Sequence, residues 1–183
     1  MSMLDKNTIL SGFVALGQRL KLSRHVEILI VGGAAGVLTG LLPAQWTTAD
    51  VDTLDCQLPQ DREAVLAVAE VVCRDLSLPA DWLNDWGGLY AWTLPDDWMS
   101  RRVPIGEFGQ LHVYAAGRSD LIAMKFIAHR ERDLEHLQLL NVTEDDKTFV
   151  RSYLDHLKER YPAGRFPDHA GKVAMATQYL ENW

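Results

Sequence analysis

The sequence predicts an α/β (α+β) fold: a small mixed β-sheet surrounded by helices, with a helical C-terminal part. Three observations predict it. Short apolar runs bounded by turn residues, Val26 to Val31 first among them, are interleaved with stretches of helical periodicity. In Leu111 to Ala115 the apolar Leu111, Val113 and Ala115 alternate with His112 and Tyr114, the period of a half-buried strand. Beyond about residue 117 the patterns have the helical period alone. A chain of 183 residues, 48% of them hydrophobic and 23% charged, fits one compact domain over residues 1–183, with the sheet-containing core over about 1–116 and the helical part over about 117–183.

In order, Ile9, Phe13, Leu16 and Leu20 form an apolar stripe on a helix over residues 6–22. Val26 to Val31 reads as a buried strand, and Gly32-Gly33 as a tight turn into a short helix through about Leu38. Thr47 to Cys56 reads as a second strand, and Asp61 to Leu76 as a helix halted near Leu78-Pro79. Residues 79–100 mix Trp82, Trp86, Trp92 and Trp98 with turn residues and leave short helix, loop and strand open; the tryptophans read as anchors of a core or interface, or as stacking surfaces for a base. Arg101 to Ile105 and Gln110 to Ala115 suggest a hairpin turning at Gly106-Glu107-Phe108-Gly109. Ser119 is the expected N-cap of the next helix, Arg130 to Leu140 continues helically, and Thr143 with Asp146 caps another. Pro162, Gly164 and Pro167 end that helix, and Gly171 to Trp183 is a last one.

The formal charge of −7 speaks against wholesale attraction to nucleic acid, although Arg101, Arg102, Lys125, Arg130 and Arg132 supply local cations. The apolar runs are too short or too interrupted to span a bilayer, and no leader-like segment opens the chain, so the expected location is cytoplasmic with no membrane partner. Cys56 and Cys73 read as small buried hydrophobes, without a second pair for zinc. No Ser-His-Asp or Cys-His order suggests covalent catalysis.

The stretch that carries chemistry is Gly32-Gly33, followed by Asp50-Val51-Asp52. On a strand, residues i and i+2 point the same way, so Asp50 and Asp52 would stand together while Val51 turns inward. Two adjacent carboxylates repel unless a cation lies between them, and magnesium suits such a pair because it takes few carboxylates, keeps waters and bridges to phosphates. The glycine turn would let backbone amides approach those phosphates. A dinucleotide fingerprint is the rival reading, but the spacing of the first two glycines is wrong for it and it calls for one carboxylate at a strand end.

This order of strand, Gly-Gly, helix and strand with Asp-x-Asp resembles the DNA polymerase β-type nucleotidyltransferase superfamily. Asp120-Leu-Ile-Ala-Met-Lys125 and Arg130-Glu-Arg-Asp133-Leu-Glu-His-Leu137 resemble the later motifs of the branch that holds AbiEii-type toxins and DUF6036-type nucleotidyltransferase-like proteins. Gly32, Gly33, Asp50, Asp52, Lys125 and Asp133 match, over about residues 26–140. The resemblance implies a magnesium-dependent transfer of NMP from an NTP to an RNA or protein acceptor. It implies Asp50 and Asp52 as metal ligands, and Asp50, Asp52 and Asp133 as the catalytic set, with Asp133 a polar organiser or proton acceptor. Gly32, Gly33, Thr48, Lys125 and Arg132 would bind nucleotide.

Two positions depart from that pattern. Trp46 stands where many relatives carry arginine two residues before the threonine, here Thr48, and the strand Leu111 to Ala115 offers His112 and Tyr114 where a third carboxylate is usual. A single metal, a metal completed by Asp133 or Glu107, and a degenerate site all fit. The alternative is therefore a non-catalytic nucleotidyltransferase fold acting as a binding component of a toxin–antitoxin or phage-defence pair, with a cognate toxin or antitoxin protein as partner.

Overall fold

A computed structural model describes residues 3–54 and 59–183, the side chains of 59 and 60 excepted. Cys56 lies outside the described residues. The fold is mixed α/β, as predicted, and divides into two compact units: Met1–Ala91 with Arg102–Ala116, and Trp92–Arg101 with Gly117–Trp183.

The first unit contains helix α1 (Lys6–Arg19), strand β1 (Val26–Ile30), helix α2 (Gly32–Thr39), strand β2 (Val51–Leu54), helix α3 (Pro59–Leu76) and strands β3 (Leu83–Asn84), β4 (Val103–Phe108) and β5 (Leu111–Ala115). The strands form one mixed sheet in the order β3-β2-β1-β5-β4. β1 runs parallel to β5 and antiparallel to β2, β2 parallel to β3, and β4 antiparallel to β5. α1 starts where the Asp5 carboxylate accepts from the Thr8 amide at 2.7 Å, and its stripe of Ile9, Phe13 and Leu16 is fully buried. Gly17 lets this helix lie on β4, because a Cβ there would collide with the Phe108 carbonyl. Phe13 packs between Trp82 and Phe108, with ring centroids 5.9 and 5.6 Å away. The helix stops at Arg19 rather than at residue 22, since Leu20 already has extended backbone.

Other local expectations shift for physical reasons. The second strand is Val51–Leu54 only: Thr48 is tied instead to Leu4, Leu4 N–H donating to its carbonyl at 2.7 Å and its own N–H donating back at 2.9 Å. Asp50 therefore precedes β2 rather than belonging to it. In the hairpin, Gly106, Glu107 and Phe108 are strand, with a register shift between Pro104 and Gly106, and the turn falls at Gly109, whose φ is +62°. Cys73 is half-buried, its thiol directed at the Leu78 carbonyl at 3.2 Å.

The second unit contains α4 (Arg118–Ala128), α5 (Glu131–Leu139), α6 (Glu144–Arg160) and α7 (Pro167–Asn182). α4 is apolar nearly all round, with Leu121, Ile122, Ala123 and Phe126 fully buried, and it packs against the other three helices. Gly117, not Ser119, precedes its first turn; a Cβ at Gly117 would collide with the Arg101 carbonyl. α6 opens with the expected capping box of Thr143 and Asp146. α7 begins at Pro167 rather than Gly171, with proline in its first turn. Arg101 grips the buried Asp120 with two bonds of 2.8 and 2.9 Å, and Arg118 bridges Asp146 and the Leu140 carbonyl, both at 2.8 Å. Among the described residues no helix is long and apolar enough to cross a membrane.

Candidate functional site

The glycine turn and Asp52 meet in the first unit. After β1 the Val31 amide donates to the Asp52 carbonyl at 3.0 Å, which brings the end of one strand beside the start of the next. Gly32 then takes φ +66°, and a Cβ on it would stand 3.2 Å from Asp52 Oδ2. Glycine is thus selected twice, by the left-handed backbone and by the carboxylate pressed against the turn. α2 begins there with Val31 as its cap, with no side-chain capping bond and no acidic residue in its first turn. Its positive end faces the region of Asp52, an environment that favours anions. Val51 is fully buried, its amide donating to the Trp82 carbonyl at 2.7 Å, while Asp50 and Asp52 on either side are half-buried. Gly33 is half-buried on the first turn of α2, and Thr48 is buried.

Strand register shows what shares the Asp52 face. Leu29 is opposite Leu54 on one side and Tyr114 on the other, and Glu27 is opposite His112. By alternation Asp52, Leu54, Leu29, Glu27, His112 and Tyr114 point to one side of the sheet. The next position of that face on the β5 side is Ala116, whose amide donates to the Ile30 carbonyl at 2.9 Å. No carboxylate therefore enters from this strand beside Asp52. Glu107 pairs with His112 at the level of Glu27, four residues and so about 13 Å along from Val31, too far to join Asp52 on one ion. Among the described residues no group of three or more His, Cys, Asp or Glu side chains is assembled for a metal. Asp52 beside the glycine turn, with Asp50 two residues before it in sequence, would suit one magnesium ion, which takes few carboxylates.

The same face carries a cation that reading the strands separately did not bring to the sheet. The Arg102 guanidinium stacks 3.7 Å above the Tyr114 ring centroid and pairs with Glu27 at 2.6 Å. The signal for Glu27 was present, as the single charge in an apolar strand; its partner is set by sheet register. Asn84, opposite Asp52 on β3 and buried, accepts the Trp86 amide on its Oδ1 at 2.9 Å.

Lys125, Arg132 and Asp133 belong to the second unit. His129, with φ +48°, breaks the chain between α4 and α5 and turns α5 back along its neighbour. Lys125 Nζ thereby lies 3.1 Å from Asp133 Oδ1 and 2.7 Å from His136 Nδ1, with only 2% of the lysine exposed. Asp133 Oδ2 accepts from Arg130 Nε at 2.8 Å and from the Arg130 amide at 3.3 Å, which also caps α5. Burial pushes the Lys125 amine down, against the opposing pull of Asp133. Burial would raise the Asp133 carboxyl, but the Arg130 hydrogen bond and the Lys125 charge hold it below the ordinary range. Burial, then the Lys125 charge, lowers His136 to about 4, so its imidazole is neutral at pH 7 and Nδ1 accepts from the ammonium. Arg132 is half-buried on α5, and its charge adds to the lowering of His136.

Comparison with known proteins adds the family. No curated protein and no solved structure matches the chain. A family model described as a nucleotidyltransferase of unknown function, DUF6036, matches residues 13–161, a span that takes in the glycine turn, the Asp pair, every strand of the sheet and the Lys125–Asp133 helices. With that span matched over most of its length, the chain belongs to the DUF6036 family of nucleotidyltransferases of unknown function.

Proposed function

We propose that this protein transfers a nucleoside monophosphate from an NTP to an RNA or protein acceptor, with one magnesium ion held by Asp50 and Asp52. The observation that carries this reading is the Asp52 carboxylate set against the Gly32 turn at the head of α2, with 3.2 Å left for a Cβ. A carboxylate to hold an ion and backbone amides to meet phosphates thereby lie side by side. In this reading the amides at Gly32 and Gly33 orient the triphosphate, and Asp50 and Asp52 would hold the ion. Magnesium supplies charge neutralisation of the triphosphate and of the leaving pyrophosphate. An acceptor hydroxyl in line with the leaving group forms the new P–O bond, pyrophosphate departs with the electron pair of the bond that breaks, and the hydroxyl proton passes to solvent.

Lys125 and Asp133 act in this proposal as organisers of α4 and α5, because both are buried and already engaged with each other. The test is calorimetric titration of ATP, GTP, CTP and UTP with and without magnesium, on the wild type and on Asp52→Asn. Magnesium-dependent binding that Asp52→Asn abolishes is the expected result, and it justifies an acceptor search with labelled NTPs. Absence of binding by the wild type overturns the proposal.

One observation favours a second reading, a non-catalytic component of a toxin–antitoxin or phage-defence pair. The Asp52 face continues on β5 as His112, Tyr114 and then Ala116, without a carboxylate. On this reading an Asp50→Ala, Asp52→Ala double variant retains full biological activity; on the first reading it retains none.

A further inference from the structure

The Trp86 backbone lies close to the site just described. Its backbone is held on both sides. On one side its amide donates to Asn84 Oδ1 at 2.9 Å, and Asn84 is the β3 residue directly opposite Asp52. On the other side Gly87 presses onto the ends of β1 and β2: a Cβ there would stand 2.6 Å from the Thr53 carbonyl oxygen and 2.8 Å from Val31 Cγ2. Thr53 follows Asp52 and Val31 precedes Gly32, so both anchors of Trp86 are neighbours of the carboxylate and the glycine turn. Adjacent strands are about 5 Å apart and two residues extend at most about 7 Å, so the Trp86 backbone is within about 12 Å of Asp52. That is the reach of a ribose and its base away from a phosphate group.

Trp86 is 56% exposed in spite of these backbone anchors, with Leu89 beyond it 74% exposed. Two other tryptophans of the segment, Trp82 and Trp92, are placed differently. Trp82 is fully buried with its Nε1 donating to the Ala69 carbonyl at 3.0 Å, and Trp92 meets Tyr161 and His169 edge-on at 5.3 and 4.3 Å. A large aromatic face left open on a fixed backbone is costly in water, and stacking on a base is a use that tolerates every base.

We propose that Trp86 is the stacking platform for the nucleobase of the bound nucleotide. The inference rests on the nucleotide site proposed above, and the experiment separates the two. Binding of ATP and of inorganic tripolyphosphate, each with magnesium, is measured on the wild type, Asp52→Asn, Trp86→Ala and Trp86→Phe. Tripolyphosphate has the phosphates without the base. The expected result is that Asp52→Asn abolishes binding of both ligands, whereas Trp86→Ala weakens ATP roughly tenfold or more, leaves tripolyphosphate unchanged and is largely restored by Trp86→Phe. Unchanged ATP affinity in Trp86→Ala, with Asp52→Asn still abolishing binding, overturns the stacking role and leaves the site standing. Equal weakening of ATP and tripolyphosphate overturns it as well, by showing that Trp86 acts on the phosphates or the fold. No binding of either ligand by the wild type overturns both the site and the platform.

Discussion

Two aspartates, Asp52 in the first unit and Asp133 in the second, show how one residue type is put to opposite uses. Asp52 is half-buried at the start of a short strand, pressed against a glycine turn and the positive end of a helix. Asp133 is buried, and each of its oxygens is committed, one to Lys125 and the other to Arg130. A carboxylate that is to take a metal must remain accessible to it, whereas one that balances a buried ammonium must be sealed with it. The difference teaches that charge in a motif is not enough to assign chemistry; burial decides.

The largest effect that would break this contrast comes from exchanging each aspartate for its neutral isostere. Asp133→Asn leaves the Lys125 ammonium buried without a counter-charge, and removing one member of a buried pair costs about 3–5 kcal/mol. Urea unfolding of this variant should therefore show a midpoint far below that of the wild type. Asp52→Asn, a change at a half-buried residue beside the glycine turn, should stay within about 1 kcal/mol of wild type. If Asp52→Asn proves the more damaging to stability, the roles assigned to the two residues are reversed.

The next effect concerns pH. His136 is lowered to about 4 in the folded protein by burial and by the Lys125 charge, against an unfolded value near 6.5. The unfolded chain therefore binds the proton more readily between these values, so the folded state is favoured above about 6.5 and loses stability as pH falls towards about 4. The loss expected is about 2 kcal/mol, measured as the difference in unfolding free energy between pH 7.5 and pH 5. His129 is lowered in the same direction by burial and contributes to the same window, so the discriminating comparison is His136→Gln, which should flatten most of the slope.

What the sequence showed of this contrast follows from distance along the chain. The stripe of α1, the Thr143–Asp146 box of α6 and the alternation of β5 are local patterns, and the structure reproduces them. The glycine turn and the Asp pair are local too, which is why both were legible as candidates. The hairpin turn was misplaced because two glycines competed for it, and the requirement that separates them, a positive φ at Gly109, is a property of the folded pair of strands. Gly117 in place of Ser119 before α4 answers to the Arg101 carbonyl, sixteen residues away in sequence. Pro167 was read as the end of one helix when it opens the next, although proline in a first turn is an ordinary start signal. The grip of Glu27 and Tyr114 on Arg102, the seating of Asn84 opposite Asp52 and the sealing of Lys125 depend on register and helix packing, which no spacing rule encodes.

The smallest effect sharpens the comparison by supplying a third carboxylate of intermediate kind. Asp146 is buried, like Asp133, and shares itself between Arg118 at 2.8 Å and the Thr143 amide at 2.9 Å, closing the first turn of α6. Burial would raise its carboxyl, but the Arg118 and Thr143 hydrogen bonds hold it below the ordinary range. Thr143→Ala removes the hydroxyl that accepts the Asp146 amide at 3.2 Å yet leaves the arginine, so the charge is never orphaned. The cost should be that of a lost helix cap, about 1 kcal/mol, well below that of Asp133→Asn. A loss of several kcal/mol would mean that Asp146 depends on its cap as Asp133 depends on its lysine. The graded series from Asp52 through Asp146 to Asp133 would then collapse into two classes, open and sealed.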